Sequence, residues 1–157
     1  MSSNTNIGLA GEYAALSQLN LRGFTAALTL GHAKGVDIFA AYPGSGKTRR
    51  IEVKTRLKES YVQGKTRKGF GIVEREWFLS AANEIHAADL FYCFVHASES
   101  GDFEFHIVPS KDVAKHLIGR RKYLQSLGQN GPWPLRKFRL GPTGASNHTS
   151  WTPSLSA

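Results

Sequence analysis

Asp37, Glu52 and Lys54 are the residues of this chain whose types and spacing point most directly to chemistry. They flank Pro43-Gly44-Ser45-Gly46-Lys47, a cluster of turn formers between two β-rich segments, which predicts a hairpin. If the turn is symmetric about Gly44 and Ser45, Asp37 faces Glu52, Val36 faces Val53 and Ile38 faces Ile51. Directly opposed residues of an antiparallel pair point to the same side with Cβ atoms about 4.5–5.5 Å apart. Lys54 shares the face of Glu52 by the two-residue period of a strand. A bulge at the glycines would shift this register by a residue. Adjacent carboxylates repel, which favours a raised pKa or a bound cation. Hard oxygen ligands suit Mg2+ or Mn2+. A lysine alongside can orient an attacking water and screen charge developing on phosphorus. Phosphodiester hydrolysis needs those parts.

The surrounding sequence must position these groups. Asn4 or Thr5 can cap a helix over residues 7–22, in which Leu9, Tyr13, Leu16 and Leu19 recur at spacings of three and four. Residues 24–30 suit a strand, 36–42 and 48–56 form the arms of the hairpin, and 57–71, rich in charge and glycine, reads as an exposed mobile loop. Trp77-Phe78-Leu79 leads into Ser80, a cap for a short helix over residues 81–86. The nearly continuous apolar run 89–96 predicts a central strand covered on both faces. Phe103, Phe105 and Ile107, alternating with Glu104 and His106, predict its partner after a turn at 98–102. Ser110 should cap a final helix with Val113, His116, Leu117, Arg120 and Leu124 on one face. The order α-β-β-β-α-β-β-α predicts an α/β fold, a mixed central β-sheet flanked by helices. One domain over residues 1–128 is expected, followed over 129–157 by a tail rich in Gly, Pro, Ser and Thr, partly ordered at best, which Trp133 and Trp151 could pin locally.

A helical Glu, then Asp, then Glu-x-Lys on successive strands resembles the PD-(D/E)XK nuclease superfamily, here in Gly11-Glu12-Tyr13, Gly35-Val36-Asp37-Ile38 and Ile51-Glu52-Val53-Lys54. The resemblance spans roughly residues 7–110 and is nearer to the small bacterial homing-endonuclease-like branch than to the Holliday-junction resolvases. It implies a restriction-endonuclease-like αβββαβ core, here with a further strand and a C-terminal helix, and a Mg2+-dependent endodeoxyribonuclease. It also implies that Asp37 and Glu52 bind the metal, that Val53 offers its backbone carbonyl, and that Glu12 acts at the metal directly or through water. Lys54 would stand beside the attacking water. DNA, double-stranded or branched, becomes the expected partner, and a two-fold homodimer is the simplest way to cut both strands. Val36 stands where the superfamily's eponymous proline would be.

Composition supports a polyanion partner. The formal net charge is +8, and between Lys47 and Arg75 ten Lys/Arg stand against three acids. His32, Lys34, Arg56, Lys58, Lys65, Arg67 and Lys68 are therefore candidate nucleic-acid contacts, the alternative being a solvated basic face. No run approaches the roughly 18 apolar residues of a membrane span, and no signal segment precedes the first helix, so a cytoplasmic protein with no membrane partner is expected. The lone Cys93, inside an apolar run, reads as a small buried hydrophobe. Residues 41–48 formally match a relaxed phosphate-binding loop, but such a loop opens a helix and residues 49–55 read as strand, so nucleotide triphosphate binding is not expected. The six histidines include no His-x-x-x-His pair, and Cys93 is the lone cysteine, so zinc is not expected. The competing function class is a catalytically silent nucleic-acid-binding or accessory protein with the same fold. An adaptor using the Trp-bearing tail is a third.

Overall fold

The computed structural model describes residues 3–30, 35–57, 63–64, 72–73, 75–98, 100–129 and 135–140. In chain order the elements are α1 (Asn4–Leu21), β1 (Thr25–Leu28), β2 (Ile38–Ala41), β3 (Thr48–Leu57), β4 (Gln63–Gly64), β5 (Ile72–Val73) and β6 (Arg75–Ser80). A 3-10 turn (Ala81–Glu84), β7 (Leu90–Ala97), β8 (Phe103–Pro109), α2 (Ser110–Ser126) and β9 (Leu135–Leu140) follow. The central sheet has five strands in the order β1-β2-β3-β7-β8. Only β3 and β7 run parallel; the other neighbours are antiparallel. The expected mixed sheet flanked by helices is thus the fold observed.

The alternation of β7 sends successive side chains into two different cores. On one face Ile51, Val53, Phe91, Cys93 and Val95 pack with Ala15 and Leu19 of α1. On the other, Tyr92, Phe94 and Val108 meet Val113 and Leu117 of α2, together with Trp77, Leu79 and Phe138. A strand buried on both sides needs apolar residues at nearly every position, which accounts for the unbroken run at 90–95. α1 lies close against the sheet at Gly11, where a Cβ would stand 1.8 Å from Thr55 Oγ1. Only glycine admits that approach without displacing Thr55.

Several elements differ from the sequence reading. Ser3, not Asn4 or Thr5, caps α1, its hydroxyl accepting from the Asn6 amide at 3.2 Å. The helix expected over 81–86 is a single 3-10 turn, closed by Asn83 Oδ1, which accepts from the Ser80 amide and hydroxyl. Trp77-Phe78-Leu79 belongs to β6, with Trp77 and Leu79 buried and Phe78 exposed. β6 pairs with β9, a strand from within the compositionally tail-like segment, whose Phe138 enters the second core. Ser110 is the first residue of α2 rather than its cap: its hydroxyl donates to Ala87 O at 2.8 Å and accepts from Ala87 N at 3.1 Å.

Residues 42–47 form a hairpin turn, with Ser45 N–H donating to Tyr42 O and Gly44 and Gly46 at positive φ. Thr48 begins a strand immediately afterwards, so no helix follows the phosphate-loop-like residues. Among the described residues no helix is long and apolar enough to cross a membrane.

Candidate active site

The hairpin register runs as expected from Ala41↔Thr48 to Ile38↔Ile51 and then stops. Asp37 lies in a bend just before β2, so the cross-strand pairs Asp37–Glu52 and Val36–Val53 do not form. The Asp37 amide donates to Ile51 O at 2.9 Å, one residue out of the ladder's step, and Gly35 takes φ +75°. The local shift has a chemical result. Asp37 Oδ2 turns onto β3 and accepts the Val53 amide at 2.6 Å. The Asp37 carboxylate is therefore fixed by backbone, with Thr29 holding the same bend through its hydroxyl bond to Val36 O at 2.8 Å.

Glu52 and Lys54 point to the face opposite α1. Glu52 is 7% exposed, and its Oε1 lies 2.6 Å from Lys54 Nζ. Two residues that the sequence reading overlooked steady it: Asn83 Nδ2 approaches Glu52 Oε2 at 3.5 Å and donates to Tyr92 Oη at 2.7 Å. Burial pushes the Tyr92 hydroxyl up to about 12; the Asn83 bond opposes this and the Glu52 charge adds to it. Tyr92 is visible in the sequence as the one hydroxyl within an apolar run, and such a group needs a partner when buried. Gly35 passes close by, and a Cβ there would lie 3.6 Å from Glu52 Oε2.

Glu12, on α1 next to the close approach at Gly11, comes within electrostatic range of Asp37 and Lys54. Its carboxyl is held above the ordinary glutamate value by burial first, then by the charge of Asp37, while Lys54 pulls the other way. Asp37 is likewise raised by burial, against the Val53 hydrogen bond and Lys54, with Glu52 adding to the rise. These mutual influences bring Glu12, Asp37, Glu52 and Lys54 into one electrostatic neighbourhood. Three carboxylates against one ammonium leave excess negative charge in a partly buried place, and a cation relieves that. All the donors are hard oxygens, so the residues present fit a magnesium-class ion. Val53 contributes its amide to Asp37, and its position between Glu52 and Lys54 places its carbonyl on the same strand.

No family model and no curated protein matches the chain. Among solved structures it is similar to a bacterial homing endonuclease, I-Ssp6803I. The match has 13% sequence identity and a TM-score of 0.46, covering 96% of this chain and 86% of that chain. A likeness of that size decides neither a fold family nor an activity, so the chemistry here stands on the side chains themselves.

The basic residues divide. Arg56 is described: its Nη1 donates to Glu76 O at 2.7 Å and its guanidinium lies over the Phe78 ring, which ties β3 to β6. His32, Lys34, Lys58, Lys65, Arg67 and Lys68 lie outside the described residues, as do Trp133, Trp151 and most of the loop expected over 57–71. Thr55 points into the contact with Gly11, where its buried hydroxyl has no hydrogen-bond partner. Cys93 is fully buried, as expected, and burial pushes its thiol up. Zinc was not expected, yet His96 and His106 converge with Glu104 on β7 and β8.

Proposed function

We propose that the chain is a metal-dependent endonuclease hydrolysing phosphodiester bonds in DNA, with Asp37, Glu52, Glu12 and Lys54 as its active site. The observation that carries this reading is the meeting, from α1, the bend before β2, and the central strand β3, of three carboxylates and one lysine. Asp37 and Glu52 would hold Mg2+ or Mn2+, with the Val53 carbonyl, and with Glu12 directly or through water. The ion would supply Lewis-acid polarisation of a phosphoryl oxygen and lower the pKa of a bound water. The chain's own residues do the rest. Val53 N–H fixes the Asp37 carboxylate so that its charge is preorganised. Asn83 and Tyr92 keep Glu52 from swinging away. Lys54, whose Nζ lies 2.6 Å from Glu52 Oε1, would orient the attacking water and screen charge developing on phosphorus. The net charge of +8 draws the polyanion to the protein.

The close Lys54–Glu52 pair also suits a catalytically silent nucleic-acid-binding protein, in which it is simply a structural ion pair. Incubating purified protein with supercoiled, linear, single-stranded and branched DNA, and with RNA, in Mg2+, Mn2+ or EDTA separates the two. Cleavage of DNA that EDTA abolishes is the expected result. Retention of DNA without cutting in either metal would favour the silent alternative.

A further inference from the structure

Along the same face of β7, beyond Tyr92, a second group of ligand-type side chains converges. The β7–β8 register sets His96 directly opposite Glu104 and places His106 opposite Phe94, so the two histidines and the glutamate share one side of the sheet. Their ligand atoms all lie within 4.8 Å of one another. His106 Nε2 and Glu104 Oε1 are 3.2 Å apart, close to the ~3.3 Å edge of a tetrahedron with bonds near 2.0–2.1 Å. His96 and His106 are 1% and 2% exposed, whereas the Glu104 side chain is 28% exposed. The donors are therefore interior, with one side reaching solvent. Trp77 stacks on His96 with centroids 4.3 Å apart and meets His106 edge-on at 6.2 Å, so the imidazole planes are held by packing.

We infer that His96, Glu104 and His106 form a second metal site, one for a zinc-class transition ion. Two imidazole nitrogens and one carboxylate make a borderline donor set, which selects Zn2+ over Mg2+, and a fourth position on the Glu104 side is left for water. The site is separate from the acidic one. Glu52 pairs with Tyr92 and Arg56 with His96, four residues along the ladder or about 13 Å at ~3.3 Å per residue. Ions that share one phosphoryl reaction sit about 3.5–4 Å apart, so this ion takes no part in cleavage. Its effect is to clamp β7 to β8 beneath Trp77, and it stabilises the fold whether or not the chain cuts DNA.

The test uses the full chain, purified without a polyhistidine tag and stripped with EDTA. Zn2+ is titrated by calorimetry, Co2+ by visible absorption, and thermal unfolding is followed in both. One tight ion per chain that persists in Asp37→Asn, four-coordinate Co2+ bands, and a Tm rise of about 5–10 °C at roughly a hundredfold excess over Kd are expected. Glu104→Gln and His106→Asn should each weaken binding by more than the roughly 10–100-fold lost with an outer-shell partner. Asp37→Asn should leave it unchanged. Absence of saturable Zn2+ binding, wild-type affinity in the folded Glu104→Gln variant, or loss of binding in Asp37→Asn would each overturn the inference. Should His106→Asn not fold, the part-exposed Glu104→Gln decides alone.

Discussion

The two ends of the β3–β7 ladder present side chains to the same face of the sheet and arrive at different chemistry. At the Glu52–Tyr92 end, carboxylates come from α1, a bend and a strand, and they are held by a backbone amide and by Asn83. At the Arg56–His96 end, two imidazoles and a carboxylate come from one hairpin and are held by stacking beneath Trp77. Strand periodicity decides which side chains share a face, but the neighbours decide what they can do. Fixed amides beside hard oxygens suit a strongly hydrated ion and a water nucleophile. Aromatic walls around nitrogen donors suit a softer ion that stays put.

The largest expected effect that separates the ends is Lys54→Ala. It should lower DNA cleavage by about 10²–10⁴-fold, read as nicking of supercoiled DNA, while leaving Zn2+ affinity unchanged. Phe138→Ala tests the other end. Phe138 is buried, stacks on Phe94 at 4.4 Å and meets the edge of His116. Its truncation should cost about 3–5 kcal/mol by denaturant unfolding, with cleavage per folded molecule preserved well below Tm. A fall in both would mean that the ends are not separate.

Gly11→Ala acts on the acidic end through packing. The new Cβ overlaps Thr55, so a loss of about 1–3 kcal/mol is expected, together with reduced cleavage as the adjacent Glu12 moves. Thr55→Ala in the same chain should restore part of both. The smallest effect is on pH dependence. Burial raises both Glu12 and Asp37 in the fold, so between their ordinary and raised values the folded state binds more protons than the unfolded one. Metal-free stability should therefore fall as pH climbs through that interval. Cleavage should rise over the same interval as the carboxylates ionise. Thermal unfolding in EDTA from acid to neutral pH checks the first, and nicking rates check the second. Asp37→Asn should flatten the stability slope.

Much of this was legible in the sequence, for local reasons. The Pro43–Lys47 turn formers set the hairpin register, and Ile38↔Ile51 follows from it. Asp37 escaped because the ladder ends one residue before it, where Gly35 takes a positive φ and the chain bends. Asp37 instead reaches β3 through its carboxylate, which accepts the Val53 amide, rather than as a cross-strand partner of Glu52. β6 was masked because Trp77, Phe78 and Leu79 are all large and apolar, and only burial distinguishes the outward Phe78. β9 was masked by the Gly/Pro-rich composition around it and by its own sequence, Leu-Arg-Lys-Phe-Arg-Leu, in which Phe138 alone is a strong strand former. The histidine cluster was missed because a search along a helix cannot find a pair that faces across a hairpin. Applying to the 98–102 turn the symmetry argument used for the first hairpin sets His96 against Glu104, with His106 beside it.

The most direct test of the proposed active site is nicking of supercoiled DNA by Asp37→Asn at saturating Mg2+, beside the wild type. Asparagine retains an oxygen acceptor for the Val53 amide and removes only the charge. Cleavage should fall by at least about 10²-fold, with metal-free Tm equal to or above that of the wild type at neutral pH. Nicking at the wild-type rate by folded Asp37→Asn would contradict the proposed active site.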